Sequence, residues 1–540
     1  MLRDSLDRRA GHLFKIFLLA FIAAFGCYEI FVYSDRSVWG DEISSLINYP
    51  LARVTDIFAP LPYAQQAAPA SFNLLSTAVS SLQVRDMRIL FSILIIAAFL
   101  IAAALAFRFR SVPMLGALAF IASSPIFFQY ATELKFYGFE MAGAAFVAAW
   151  VIRYDTNKPL GLVDLGVLVF AAVMGISTLV IAICGALTVF CIRVAKCGWV
   201  AKREAFLLLV LGAFGVAYYL QIQYSVRYQI ETFPDAYSVD GLRAVLKFTR
   251  SIVRGYGFLG VFIVGVIFAV LLFHSRTSSE ARRLLAFAIS LYAVFCLLAA
   301  LGKYPAISPR HIAWTAGIFS MAAGLAARLA LGGRIDFRRR ISGGILVAAL
   351  AANFASSLPE LLSRDKNHTD NDKLISWLKA ADSSNIVLYN GGGALKVFME
   401  KSGFQVGQHQ YFGELNLESG KVDPVYLSED YLSQDYDAIA ADVMEHVAEP
   451  GGGARMAVTF RILRNYRGYA DYVIDKAPTR APFHIIATHV DWNSSAHGGD
   501  PRYTSLLEAL SERGCEYFLE LSGKKVFAMS VTCPQSRTQN

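Results

Sequence analysis

Val38-Trp39-Gly40-Asp41-Glu42-Ile43-Ser44-Ser45 stands a few residues after the first long apolar segment of the chain, residues 13–33. That segment is long enough to cross a bilayer, because about 30 Å of hydrocarbon needs roughly 20 helical residues. Two adjacent carboxylates just beyond such a span are placed to act on something held at the membrane surface. The alternative is structural, a charge pair at a helix N-terminus that the helix dipole favours.

The composition of the whole chain is that of a membrane protein. Its 540 residues are 55% hydrophobic and only 17% charged, whereas average chains carry about 25% charge. Mean hydropathy is +0.45. Apolar windows predict about eleven spanning helices, with residues 160–193 read as two of them. The windows are 13–33, 88–107, 112–129, 138–152, 160–176, 178–193, 204–222, 256–274, 284–301, 311–331 and 341–357.

The basic residues predict the orientation of these spans. Lys and Arg cluster before the first span and in alternate loops, which is the pattern of cytoplasmic loops. The N-terminus is then cytoplasmic, and Asp41, Glu42 and everything after residue 357 lie outside, as in a multi-pass protein of the bacterial inner membrane. The net charge of +8 follows from these loops, and no basic stripe in a soluble region predicts nucleic-acid binding. The first span is too long for a cleaved signal peptide and lacks a cleavage site.

Two long outer loops carry amphipathic segments. In residues 34–87 we expect short helices over 41–49 and 68–82 that lie in the membrane interface. In residues 223–255 the stretch 239–253 has helical spacing and several basic residues. These cations break the inside-positive trend locally and suit an anionic ligand, although a solvated charged helix gives the same pattern.

Residues 358–540 predict a separate extracytoplasmic α/β domain, while residues 1–357 form the membrane domain. Short apolar runs alternate with helical stretches there. The predicted strands are Asn385–Tyr389, Ala438–Ala441, Phe483–Thr488, Tyr517–Leu521 and Lys525–Met529, and the predicted helices are Lys373–Ala381, Ala394–Lys401 and Tyr503–Arg513. Cys515 and Cys533 flank a predicted hairpin, where an oxidising compartment favours a disulfide over two buried thiols.

Two other patterns in this domain carry little functional signal. The glycines at 391–393 lack the spacing of a dinucleotide fingerprint. His489, Asp491, His497 and Asp500 have no metal-ligand spacing, so a polar loop is the better interpretation.

Charged residues in two further outer turns join the acidic pair. Glu133, Lys135 and Tyr137 follow the third span, and Lys303, Tyr304, Arg310 and His311 lie before the tenth. Charges at this depth are expensive and tend to be functional, unless Glu133 and Lys135 merely snorkel to the interface. Carboxylates that accept a proton and cations that hold a phosphate fit transfer of a sugar from a lipid-linked phosphate to a hydroxyl.

At these residues the sequence resembles the GT-C membrane glycosyltransferases. The resemblance rests on Trp39-Gly40-Asp41-Glu42, the stretch Ala68-Pro69-Ala70-Ser71-Phe72, Glu133-x-Lys135-x-Tyr137 and Pro309-Arg310-His311, and it covers about residues 10–330. It is strongest to the branch with lipid A aminoarabinose transferases, rhizobial galacturonic acid transferases and protein O-mannosyltransferases. Two departures are His311, where the family has Tyr, and Ala68, where it often has His.

The resemblance implies an inverting transfer from an undecaprenyl- or other polyprenyl-phosphate sugar to an envelope acceptor such as lipopolysaccharide, within the membrane lipids. It implies Asp41 as general base or as the carboxylate that orients the acceptor, with Glu42 and Glu133 as its support or as metal ligands. It also implies donor phosphate contacts from Lys135 and Arg310. Tyr137, Lys303, Tyr304 and His311 would complete the substrate site with Glu133. A divalent cation (Mg, Mn or Zn) would bind near Asp41 and Glu133.

Two other classes of function fit the composition. A transporter or flippase of a lipid-linked substrate would place charges near the bilayer midplane and show paired repeats, whereas the charges here cluster at span ends. An envelope-assembly protein that only anchors its outer domain would not need so many spans.

Overall fold

The computed structural model describes most of the membrane part of the chain and selected segments after it. The described residues are 2–36, 42, 68–198, 202–232, 241–304, 309–332, 337–363, 371–380, 386–390, 414–416, 421–423, 467, 470, 471, 474, 482–488, 501–523 and 525–534. They form two compact units. The first unit, the membrane unit, comprises described residues 2–35 and 68–363. The second comprises Arg36, Glu42 and the described residues from 371 onward.

The membrane unit is helical throughout. Its helices are α1 (Leu2–Ser34), α2 (Ala70–Ala78), α3 (Val84–Phe107), α4 (Ser111–Ala122), α5 (Pro125–Ala131), α6 (Tyr137–Arg153), α7 (Leu162–Ala172), α8 (Ile176–Cys197), α9 (Lys202–Thr232), α10 (Gly241–His274), α11 (Ser279–Ala300), α12 (Thr315–Leu331) and α13 (Phe337–Ser363), with a 3₁₀ turn at Pro309–Ile312. The interfacial helix expected over 68–82 is present as α2. Of the helix expected over 41–49, only Glu42 lies within the described residues.

Within the described residues, seven of these helices are long and apolar enough to cross a membrane, and the bent pair α4–α5 would make an eighth. The shorter α6, α7 and α12 coincide with the remaining predicted windows, and residues 160–193 do form two helices. The chain is therefore a mainly α-helical, multi-pass membrane protein. The total of eleven spans and their orientation stay predictions.

One predicted span differs from a straight helix. The window 112–129 is broken at Ser123-Ser124, and α4 and α5 are bent by 78°. Pro125 is the first residue of α5, where its missing N–H costs nothing. A hydropathy average over 18 residues does not register such a break.

The centre of the membrane unit is built from the small residues of α6 and α12. Most residues of both helices are buried. At Gly317 a Cβ atom would lie 2.1 Å from the backbone oxygen of Met141, so the two backbones touch where they cross. Small residues at helix crossings are typical of membrane bundles. The outer surface of the unit carries large apolar side chains, such as Leu209 and Phe262, which are 70% and 65% exposed.

The second unit contains an α/β structure. A four-stranded sheet has the order β1-β4-β6-β5, with β1 and β4 parallel and the other pairs antiparallel. A separate hairpin joins β2 to β3. The strands are β1 (Ile386–Asn390), β2 (Glu414–Asn416), β3 (Lys421–Asp423), β4 (Phe483–Thr488), β5 (Glu516–Gly523) and β6 (Val526–Thr532), and the helices are α14 (Asn371–Ala380) and α15 (Pro501–Glu512).

Helices cover both faces of this sheet. Alternate residues of β4 and β6, including Ile485 and Met529, form a core with Leu506 and Leu510 of α15. On the opposite face, Trp377 of α14 contacts the ring of His484. The predicted elements at 373–381, 385–389, 483–488, 503–513, 517–521 and 525–529 are all present, whereas 438–441 and 394–401 lie outside the described residues. So do the glycines at 391–393 and the polar residues His489, Asp491, His497 and Asp500.

The predicted hairpin and disulfide are both present. Strands β5 and β6 pair antiparallel, and Cys515 and Cys533 are joined at its open end. The bond closes a segment with a sequence separation of 18. A disulfide of this kind is typical of a domain in an oxidising compartment.

Candidate active site

The segment between α5 and α6 places Glu133 and Lys135 inside the membrane unit. Their exposed fractions are 2% and 7%, so both side chains are buried in the protein. This burial favours a position within the helical bundle over side chains that extend to the interface. Burying a carboxylate and an ammonium inside a membrane bundle is costly, which makes both residues candidates for a functional role.

The segment that carries Arg310 and His311 meets this region directly. The rings of Tyr137 and His311 contact edge to face, with centroids 6.5 Å apart. Tyr137 is the first residue of α6, and His311 lies in the 3₁₀ turn before α12. Two of the three predicted outer clusters are thus brought together. Lys303 follows α11 as an exposed side chain.

Of the neighbouring residues Arg310 and His311, only Arg310 carries a positive charge. Burial of the His311 ring and the neighbouring Arg310 guanidinium lower the pKa of His311 to about 3. The imidazole is therefore neutral at physiological pH, and it can bind a substrate by hydrogen bonds but not by charge. Both side chains are half-buried. The geometry favours Arg310 rather than His311 as the group that holds an anion.

Tyr304, a predicted substrate contact, is hydrogen-bonded within the protein. Its hydroxyl donates a hydrogen bond to the backbone oxygen of His311 and accepts one from Trp314 Nε1 at 3.0 Å. Ser177 Oγ lies 3.4 Å from the same hydroxyl. The hydroxyl is thus engaged by the protein itself. These bonds position the turn of Arg310 and His311, and the substrate contact of Tyr304 stays a prediction.

Glu140 extends this arrangement and was not among the predicted site residues. It is 1% exposed in the first turn of α6 and accepts a hydrogen bond from Ser177 N at 2.6 Å. That N–H belongs to the start of α8, where the first backbone donors of a helix need acceptors. In the sequence, Glu140 is a single acidic residue within the apolar window 138–152, which is a sign of function that the prediction did not use.

The close approach of Glu140 depends on a glycine. A Cβ at Gly175 would lie 2.0 Å from Cγ of Glu140. Tyr218 of α9 also donates to the Gly175 oxygen, at 3.3 Å. The turn between α7 and α8 therefore packs closely against Glu140 of α6, where position 175 has no side chain.

Two further buried charges were also missed. Glu29 of α1 is fully buried, and Arg88 of α3 is 1% exposed and donates to the oxygen of Ser34 at 3.1 Å. Ser92, one turn after Arg88, donates to the oxygen of Ala131 at 2.9 Å, just before the segment of Glu133. Arg88 therefore lies in α3 near the charged segment. In the sequence it was interpreted only as the start of a span.

The acidic pair is described in part. Asp41 lies outside the described residues. Glu42 is fully buried in the second unit, where its Oε1 lies 3.3 Å from Nη2 of Arg36. The two side chains form a buried ion pair. The catalytic role of the pair stays a prediction.

The expected metal site also stays a prediction. Within the described residues, no group of three or more His, Cys, Asp or Glu side chains is placed to hold a metal ion. Asp41, one of the two expected ligands, is not among those residues, so its pairing with Glu133 is not tested.

Comparison with known proteins identifies the fold. No protein-family profile matches the sequence, and no curated protein is significantly similar to it. Among solved structures, apo ArnT from Cupriavidus metallidurans matches with a TM-score of 0.50 and 12% identity, over 95% of this chain and 97% of that one. The chain has a GT-C-type fold. The same ArnT bound to undecaprenyl phosphate matches with a TM-score of 0.49 and 13% identity over the same shares of the two chains.

This GT-C-type fold agrees with the resemblance inferred from the motifs. At 12% identity the likeness concerns the fold, and fold alone does not define an activity. The functional argument therefore rests on the residues of the site, and the particular GT-C branch stays a prediction.

Proposed function

We propose that this protein is an inverting membrane glycosyltransferase that moves a sugar from a polyprenyl-phosphate donor to an acceptor hydroxyl of the cell envelope. The observation that carries the proposal is the contact between Tyr137 and His311. It joins the segment with buried Glu133 and Lys135 to the turn with Arg310. A carboxylate and two cations thus occur on touching segments in a GT-C-type fold.

The chemistry is a single displacement. The acceptor oxygen attacks the anomeric carbon as the bond from that carbon to the phosphate oxygen breaks, and the lipid phosphate leaves with the bonding electron pair. The acceptor proton passes to a carboxylate, which we assign to Asp41. Negative charge grows on the departing phosphate, so cations nearby stabilise the transition state.

The remaining residues divide between the donor and the acceptor. Lys135 and Arg310 hold the donor phosphate, and neutral His311 with Tyr137 forms an aromatic wall beside it. Glu42 supports Asp41 electrostatically. A lipid-anchored donor explains why these groups occur at the ends of spans. We place the reaction at the outer face of the inner membrane, with a lipopolysaccharide or related glycan as acceptor.

The test compares envelope glycolipids by mass spectrometry in cells with and without the gene. The expected result is one sugar mass that is lost on deletion and restored by the wild-type gene. Asp41→Asn should reduce the restored product by about 10²- to 10⁴-fold, the range that general-base catalysis contributes.

The matched control is Asp35→Asn. Asp35 is an exposed carboxylate close by in the sequence that lies 3.8 Å from Arg85, and such a surface pair contributes little. This variant should restore the product fully. Full restoration by Asp41→Asn would remove Asp41 from the mechanism. Loss of substrate-dependent transport without any change in glycans would instead favour a flippase.

A further inference from the structure

The first half of α10, residues 241–256, has an unusual charge pattern. It carries four cations, Arg243, Lys247, Arg250 and Arg254, and no acidic residue. The spacing of three and four residues places all four within about 60° of one another on a helix. We call this set the α10 stripe.

The stripe faces away from the protein. All four side chains are exposed, and none makes a side-chain hydrogen bond or ion pair in the part of the chain that the structure describes. A neighbouring face of the same helix is buried through Ala244 and Phe248, which are 3% and 0% exposed. The helix is therefore docked on the unit, with its cations left outside.

Apolar side chains flank the stripe on its other side. Leu242 and Leu246 are 74% and 60% exposed. On a helix they lie roughly 70–110° from the middle of the stripe. An exposed apolar sector beside a row of cations is typical of a helix that lies in the membrane interface, with its leucines among acyl chains and its cations among headgroups.

The geometry of α10 agrees with this location. The helix has 34 residues, or about 51 Å at 1.5 Å per residue, far more than the ~30 Å hydrocarbon core needs. It is interrupted at Gly257, where φ is 70° and ψ is 170°, a conformation suited to glycine. The stripe ends three residues before this kink, so the second half alone is enough to span.

The stripe also leads to the candidate site. Gly255, next to Arg254, packs against the 3₁₀ turn, since a Cβ there would lie 3.0 Å from Ile312 and 3.7 Å from Pro309. That turn carries Arg310 and His311. The end of the stripe therefore adjoins the helical position that packs against this turn.

We propose that the α10 stripe binds the phosphate-bearing headgroups of anionic membrane lipids. The exposed leucines favour a lipid over a soluble polyanion, because they require acyl chains beside the phosphates. This proposal concerns lipid binding and does not depend on the proposed sugar transfer.

The test uses the purified full-length protein in bilayers that contain spin-labelled phosphatidylglycerol or phosphatidylcholine. The motionally restricted fraction measures the preference for the anionic lipid. Replacing Arg243, Lys247, Arg250 and Arg254 by Gln should lower that preference at least about fivefold. This ratio corresponds to the ~1 kcal/mol of a single cation at an anionic surface. High salt should lower the wild-type preference as well.

Two controls keep the proposal falsifiable. Replacing Arg108, Arg110, Arg276 and Arg282, four exposed cations at other helix ends, by Gln removes the same charge and should have a smaller effect. Replacing Arg243, Arg250 and Arg254 by Lys keeps the charge and should keep the preference, which rules out misfolding as the cause. An unchanged preference in the stripe variant, or a loss no larger than in the control set, would overturn the proposal.

Discussion

The hydroxyl of Tyr304 joins the turn before α12 to the start of α8, which lies 127 positions away in the sequence. It contacts the oxygen of His311, Trp314 Nε1 at 3.0 Å and Ser177 Oγ at 3.4 Å. Through Ser177 it is linked to Glu140, which receives the Ser177 N–H at 2.6 Å. The turn that carries Arg310 is thus held by one phenol and one buried carboxylate.

Tyr304→Phe should therefore weaken donor binding more than catalysis. The change leaves the His311 oxygen and the Trp314 N–H without a partner, which costs about 1–3 kcal/mol in a buried site, and it loosens the turn of Arg310. We expect KM for a polyprenyl-phosphate sugar to rise about 5- to 100-fold while kcat changes less. Initial rates in proteoliposomes measure both constants.

Tyr292→Phe is the control for this prediction. It likewise removes one tyrosine hydroxyl, from the neighbouring helix α11. There the Tyr292 hydroxyl lies 2.8 Å from Thr249 Oγ1, and the residue is 43% exposed. This variant should behave as wild type. If kcat of Tyr304→Phe falls as much as kcat/KM, Tyr304 contacts the reacting groups and is not a positioning residue.

Part of this site could be predicted from the sequence at the level of single residues. Glu133, Lys135, Arg310 and His311 stood out because charges beside apolar spans are rare. The contact of Ser177 with Tyr304 could not be predicted, since it joins residues 127 positions apart. Glu140 could have been found as an acid inside a span, but its partner, the start of α8, depends on how the helices pack.

At the level of elements, the crossing of α6 and α12 holds the centre of the membrane unit. A Cβ at Gly317 would lie 2.1 Å from the oxygen of Met141 and 2.7 Å from the nitrogen of Ala145. These are backbone atoms, which cannot turn aside as a side chain can. The two helices approach closely because position 317 has no side chain.

Gly317→Ala should destabilise the protein. The new methyl group would force the two helices apart, and overpacking of this kind costs about 1–3 kcal/mol or more. Thermal unfolding in detergent should show a lower midpoint. Gly265→Ala in α10 is the matched control, because a Cβ there meets nothing within 4 Å. It should leave the midpoint unchanged or raise it slightly. Equal midpoints for the two variants would contradict the crossing.

Apolar windows predicted where these helices occur better than how they are shaped. The window 256–274 matches the second half of α10, and the stretch 239–253 matches its first half. The window 112–129 hid the 78° bend between α4 and α5, although Ser124-Pro125 was a visible stop signal. Averages over a window measure burial in lipid, whereas bends depend on single residues and on neighbouring helices.

At the level of the whole molecule, the two units have different chemistry. The membrane unit carries an apolar exterior, and among its described cysteines Cys184 is a buried free thiol. The second unit has a sheet covered by helices and the disulfide between Cys515 and Cys533. An oxidised pair after the last helix of the membrane unit and reduced thiols before it agree with an extracytoplasmic C-terminal part.

The orientation itself is tested by labelling two exposed ends of the membrane unit. Lys303 follows α11, and Arg276 follows α10 at the opposite end of the same helical hairpin; both side chains are exposed. The inside-positive pattern predicts that Lys303 lies outside and Arg276 in the cytoplasm. In a background with the five unpaired cysteines replaced by Ser, a membrane-impermeant maleimide should label Lys303→Cys in intact spheroplasts. It should label Arg276→Cys only after permeabilisation. The reverse pattern would put Lys135 and Arg310 on the cytoplasmic side and contradict a reaction at the outer face.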